Sequence, residues 1–315
     1  MMVEEQSFML PLGGLTVYRY GLLIALGCLL AGGYIFYRSR SNQKSQNAAA
    51  LTCLLSPLLG LVFARLTYVL SEVNFAPFFT LPNILNIRLG GFSMYGALLG
   101  AVLGAVLSAK ASKIKISEWL DVVAPAFFLF IACARFGEQY TALGVSRPLV
   151  SGVLDYSFLA MQGEYNAYLR TYLLETAAAL ILFFASILYS KKKRKTGDVF
   201  LFAALQFGIW QTLFESLRFD SHLRFSFIGL QQLLSALLFG GVLIYLAARL
   251  LRGGRKKALA IISLSVLPFV TAALIGLEFM IDRSQISKWW SYAVYVTVLL
   301  IPCVLGQLML KEERV

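Results

Sequence analysis

Charge is scarce in this chain. Only 14% of its 315 residues are Asp, Glu, Lys or Arg, while 59% are hydrophobic. An ordinary soluble domain carries about 25% charged residues. With a mean hydropathy of +0.74, so few charges cannot screen so much apolar surface from water. A soluble globular enzyme, a disordered chain and a coiled coil are excluded, and an integral membrane protein remains. Histidine is scarcer still, with one residue, His222. It reads as a solvated loop histidine, two residues past Asp220. Cysteine is limited to Cys28, Cys53, Cys133 and Cys303, each inside an apolar run and none in a CxxC pair. With a single histidine they cannot complete a zinc site, and they read as four small core hydrophobes. The start, Met1 to Glu5, is acidic and lacks a small-residue cleavage site, so a removable signal peptide is not expected. Ala25-Leu26-Gly27-Cys28 only faintly suggests a lipoprotein processing box, because the apolar run continues past the cysteine.

Long apolar runs are present instead. A span needs about 20 apolar residues. Nine stretches qualify, at about 20–37, 48–71, 91–109, 119–137, 171–190, 199–215, 228–248, 258–281 and 289–310. The fold class is all-α, a polytopic membrane helix bundle. The stretch at 199–215 holds Gln206 and Gln211, so it is expected to face protein or a cavity rather than lipid.

The net charge of +12 raises the question of nucleic acid. The distribution answers it. Of 28 Lys and Arg, 18 fall in alternate loops near 38–44, 110–115, 191–195, 249–257 and 311–314, and 8 on the other side. The positive-inside rule puts the basic side in the cytoplasm, the N-terminus outside and the C-terminus inside. The run Lys191 to Lys195 directly follows a span and has no interleaved aromatics. It reads as a membrane-surface anchor, so the lipid bilayer is a partner and nucleic acid is not. The other side carries two longer connections, 72–90 with Pro77 and Pro82, and 138–170. Substrate recognition is expected there.

The two remaining basic residues, Arg65 and Arg135, lie inside spans. An intramembrane charge is costly and faces a bundle interior, a polar cavity or a headgroup, although snorkelling to the interface is an alternative. Glu215 and Arg218 share one face if their helix continues that far. Glu175, at the end of another span, is a partner for one of the arginines. Gly96, Gly100 and Gly104 stand four apart. They read as a helix-packing face, with a groove for an acyl chain as the sharper alternative.

Taken in order, several segments form a set: Tyr18-Arg19-Tyr20-Gly21, Ala64-Arg65-Leu66-Thr67-Tyr68, Gly90-Gly91-Phe92-Ser93-Met94-Tyr95-Gly96-Ala97, Asp121-Val122-Val123-Ala124-Pro125, Ala134-Arg135-Phe136-Gly137, Leu173-Leu174-Glu175, Phe207-Gly208 with Glu215 and Arg218-Phe219-Asp220, and Gly229-Leu230-Gln231-Gln232. This set resembles bacterial prolipoprotein diacylglyceryl transferase over about residues 17–250. The resemblance implies seven spans in a domain at 1–257, which leaves 258–315 as an additional C-terminal transmembrane hairpin. It also implies transfer of diacylglycerol from phosphatidylglycerol to the lipobox cysteine thiol of a lipoprotein precursor. Glycerol phosphate leaves, near the outer face of the bacterial plasma membrane, with no cofactor and no metal. The implied partners are phosphatidylglycerol and the precursor's signal peptide.

The implied catalytic residues are Arg135, Glu138, Tyr95, Glu215 and Arg218. Tyr20, Arg65, Ser93, Gly96, Glu175 and Gln211 are implied to bind substrate. Arg135 and Arg218 would hold phosphate, Glu215 would orient an arginine, and Glu138 would be the base. The sequence departs from the family pattern at three of these positions. Tyr95 stands where the family has His, Glu138 where it has Asn, and Gln211 where it has Arg. A non-catalytic or specialised paralogue that binds phospholipid or lipopeptide is therefore a second reading. A transporter is a third, which the absence of an internal repeat disfavours.

Overall fold

A computed structural model describes residues 9–12, 15–71, 82, 84, 90–141, 143–148, 157–163, 165–192, 195–219, 224–254, 256–284 and 288–312. Among them are nine helices long and apolar enough to cross a membrane: α1 Arg19–Ser39, α2 Gln43–Ser71, α3 Met94–Ala111, α4 Ile116–Gly137, α5 Thr171–Ser190, α6 Asp198–Leu217, α7 Leu230–Arg252, α8 Lys257–Arg283 and α9 Lys288–Glu312. Each coincides with one apolar run of the sequence. The helical form follows from the solvent, because hydrocarbon offers no partner for backbone N–H and C=O groups and a helix satisfies them within itself. Short strands fill the connections: β1 Met9–Leu12, β2 Leu15–Tyr18, β3 Val145–Pro148, β4 Ala160–Gln162, β5 Ala167–Arg170, β6 Arg224–Phe225 and β7 Ile228–Gly229. The central three form an antiparallel sheet in the order β3-β5-β4. His222, Asp220 and Pro77 lie outside the described residues.

The chain divides into two compact units, Cys28–Ala126 and Met1–Gly27 with Phe127–Val315. In the smaller, α2 and α3 lie in close backbone contact. A methyl group at Gly104 would stand 2.7 Å from the Ser56 backbone, and one at Gly100 would stand 2.8 Å from the Gly60 nitrogen. Ser56 Oγ donates to the Ala101 carbonyl at 2.9 Å. The glycine face is thus a packing face, spaced so that the backbones can touch. Trp119 Nε1 donates to Thr52 Oγ1 at 3.0 Å, among buried Ile35, Ala48, Ala105 and Ala126.

In the larger unit, α6 is the most enclosed of the spans. Of its spanning stretch 72% is buried, against at most 50% in the others, which agrees with the glutamines read from the sequence. Leu205 and Ile209 of α6, Phe239 and Leu246 of α7, Leu274 of α8 and Leu299 of α9 share one buried core. The residues after 257 are therefore packed into the same core as α6 and α7.

Candidate active site

The polar centre of the larger unit is built from three helix ends. Helix α4 runs to Gly137 and tightens into a 3-10 turn at Glu138–Tyr140. Arg135 and Glu138, three apart, therefore project together. Helix α5 begins at Thr171 and presents Glu175 one turn in. Helix α6 presents Gln211 and Glu215 one turn apart and stops at Leu217. Arg218 then takes an extended conformation, with ψ 145°. The helix does not continue through Arg218, so this arginine leaves the face that carries Glu215. Its backbone bridges to Ser146 of β3 instead, and Phe219 N donates to the Val145 carbonyl at 2.9 Å.

These side chains close a ring. Arg135 Nη1 donates to Glu138 Oε1 at 2.5 Å, and its Nε lies 2.8 Å from Glu175 Oε2. Arg218 Nη1 donates to Glu175 Oε1 at 2.7 Å, and its Nη2 lies 3.0 Å from Glu138 Oε2. Each guanidinium thus bridges both carboxylates, which its planar fork permits and an ammonium would not. Gln211 Nε2 adds links to Glu175 Oε2 at 3.4 Å and Glu215 Oε1 at 2.8 Å. All six side chains are buried, with Arg218 at 2% and Glu175 at 3% exposure. Two arginines face three carboxylates, so the centre has no surplus of positive charge. An incoming anion must displace a carboxylate rather than fill an unused cationic pocket. Such a buried set is costly to desolvate and holds only while it is complete.

Two neighbours fix the ring. The Tyr20 ring lies against Gly137, where a methyl group would stand 2.9 Å from Tyr20 Cδ2. Gly144 backs onto Glu138 with φ +79°, and a methyl there would stand 2.7 Å from Glu138 Oε2. Glycine meets both the conformation and the space.

The smaller unit holds the other residues read from the sequence. Ser93 caps α3, its side chain accepting from Gly96 N at 3.3 Å. Tyr95 and Gly96 occupy the first turn of that helix. Arg65 is buried, and donates to the Ile84 carbonyl at 3.1 Å and to the carbonyls of Gly90 and Gly91. Both glycines have positive φ, +67° and +76°. Arg65 therefore holds the turn that leads into α3. Gly96 packs on Thr67 of α2, where a methyl would stand 2.6 Å from Oγ1.

A model of the family described as prolipoprotein diacylglyceryl transferase matches residues 7–248. The chain belongs to the prolipoprotein diacylglyceryl transferase family. A phosphatidylglycerol–prolipoprotein diacylglyceryl transferase of Oceanobacillus iheyensis is 27% identical over 251 residues, covering 76% of this chain and 86% of that protein. Relatives bearing the same name in Listeria innocua and Clostridium novyi are 28% and 25% identical, over 75% and 66% of this chain and 88% and 82% of theirs. The ring therefore lies wholly within the matched region, and the whole of α8 and α9 lies beyond it. This family member is a multi-pass membrane protein.

Sequence reading missed a second polar cluster. Glu278 of α8, at 2% exposure, accepts from Ser216 Oγ at 2.7 Å and from Gln232 Nε2 at 2.9 Å. Gln232 Nε2 also donates to the Tyr295 hydroxyl at 3.0 Å. The available signal was a lone acid near the end of an apolar span, a residue type that is rarely left there without a role.

Proposed function

We propose that the chain transfers diacylglycerol from phosphatidylglycerol to the cysteine thiol of a lipoprotein precursor, with the arginine–carboxylate ring as its phosphate site. The observation that carries this reading is the position of Arg135 and Arg218, buried side by side and bridged by the same two carboxylates. The phosphodiester takes the place of the Glu138 carboxylate between the two guanidiniums, which donate to phosphate in the same bidentate way. The released Glu138 then accepts the thiol proton. The sulfur attacks the glyceryl carbon, an S–C bond forms, and the C–O bond to phosphate breaks. Glycerol phosphate departs with the bonding pair on its oxygen, where the arginines stabilise the growing charge. Glu175 stays in place to keep both arginines aimed. Tyr95 at the start of α3 contacts substrate, as Ser93 and Arg65 shape the turn that presents it.

The basic loops lie in the cytoplasm, with the N-terminus outside and the C-terminus inside. The ring then lies at the outer end of its helices. Residues 1–257 are the transferase-like part, and 258–315 are an addition to it in sequence.

Purified protein in phosphatidylglycerol vesicles should add one diacylglyceryl group to a lipobox peptide, read by mass spectrometry. Arg135→Ala should abolish the product. No product under conditions where the Listeria innocua relative works would overturn the reading. Gln211 favours the second reading, binding without turnover. An uncharged amide hydrogen-bonded to two carboxylates supplies no cation for the leaving group. In that case phosphatidylglycerol binds saturably with no product, and the double variant Tyr95→His, Gln211→Arg gains transfer.

A further inference from the structure

Helix α6 carries Gln211 and Glu215 and hands the chain to Arg218. Its last carbonyls have no partner within the helix, and such groups need one when they are buried. One of them is the Ser216 carbonyl, and the Tyr292 hydroxyl of α9 donates to it at 2.9 Å. The Ser216 hydroxyl is held as well, donating to Glu278 of α8 at 2.7 Å. One residue, set between Glu215 and Arg218, is thus gripped at side chain and backbone by the two helices that lie beyond the family match. A third hold acts from the other side of Arg218. Asp282 of α8 lies 2.7 Å from Arg147 Nη2. Arg147 follows Ser146, the residue of β3 that bridges to Arg218.

Glu278 is itself an expensive feature. A carboxylate at 2% exposure in a membrane helix must be compensated. Its partners here are a hydroxyl and an amide, and no Lys or Arg among the described residues pairs with it. An addition that served only as an extra anchor would need an apolar seam alone. The polar groups at its contact with α6 converge at the end of α6 nearest the ring. Farther along the same contact the pairing is weak, Gln206 Nε2 to Cys303 Sγ at 3.4 Å.

We infer that the α8–α9 hairpin is a positioning device for the arginine–carboxylate ring, with Glu278 and Tyr292 as positioning residues that act through Ser216 on Glu215 and Arg218. This rests on the reading of the ring as the phosphate site. Neither residue touches substrate. Each sets where the α6 terminus places its side chains, and small displacements of such groups cost rate steeply.

The test uses the full chain in phosphatidylglycerol nanodiscs, with Tyr292→Phe, Glu278→Ala and Glu278→Gln. Cys303→Ala is the control on the same helix contact. Transfer to a lipobox peptide is followed together with amide hydrogen exchange over residues 214–219. The expected result is a kcat lowered about tenfold in Tyr292→Phe and Glu278→Ala, with KM for the peptide unchanged. Exchange at 214–219 should rise in both variants. Glu278→Gln, which can still accept from Ser216, should recover most of the rate, and Cys303→Ala should match the wild type. Wild-type kcat and wild-type exchange in Tyr292→Phe and Glu278→Ala would overturn the inference. So would equal loss in Cys303→Ala, since the hairpin would then act by bulk packing. If the wild type transfers nothing, the transfer reading falls by itself. The inference is then decided by exchange and by phosphatidylglycerol retained in native mass spectrometry, where unchanged values in both variants refute it.

Discussion

At the scale of single residues, the ring explains how a chain with so few charges can bury six polar side chains in one place. Arg135, Arg218, Glu138 and Glu175 desolvate together, and each cation is matched by two carboxylate contacts. Removing one member leaves the rest uncompensated. Glu175→Ala should cost about 3–5 kcal/mol of stability, seen as a lowered unfolding temperature in detergent, with Glu175→Gln milder. Arg218→Lys should fail to substitute, because a point charge cannot span Glu138 and Glu175 at once. The expected readout is loss of phosphatidylglycerol binding at near-normal expression. Arg135 and Glu175 were legible as intramembrane charges. Glu278 was equally visible as a lone acid in an apolar run, but nothing in the linear sequence said that Ser216 would be its partner.

At the scale of elements, glycine settles two geometries. The Gly96, Gly100 and Gly104 face of α3 meets α2 at backbone distance. Gly100→Leu should separate the helices, lower the unfolding temperature and reduce yield, at a cost of about 1–3 kcal/mol from overpacking. Gly144→Ala should act on the site instead. It opposes both a φ of +79° and the Glu138 carboxylate, so it should weaken phosphatidylglycerol binding more than it lowers stability. The face of α3 was readable from its four-residue spacing. The span read at 199–215 ended within two residues of the observed stop at Leu217, but where the Arg218 side chain goes was not readable. The stop comes from β3, which takes the Arg218 backbone into a bridge, and that strand is distant in sequence.

At the scale of the whole molecule, the nine spanning helices among the described residues and a one-sided basic charge give a testable arrangement. With the four native cysteines replaced, Lys115→Cys between α3 and α4 should react with an impermeant thiol reagent only in inverted vesicles. Tyr165→Cys, at 87% exposure, should react only in intact cells. The opposite result would reverse the orientation drawn from the positive-inside rule. The hairpin after residue 257 also belongs to this scale. Sequence resemblance ends before it, yet Leu274 and Leu299 share a core with Leu205 of α6.

The sequence by itself determined the solvent of this protein, its helical class, the positions of its nine spans and its family. All of these depend on composition and on local order along the chain. Hydrocarbon forces each apolar run into a helix whatever its neighbours are. The tertiary structure alone decided that Arg135 and Arg218 share two carboxylates, that Arg218 leaves its helix, and that Glu278 and Tyr292 grip the residue between Glu215 and Arg218. Those facts depend on which helix ends meet, and partners such as Ser216 and Tyr292, 76 residues apart in the chain, leave no periodicity from which that meeting could be read.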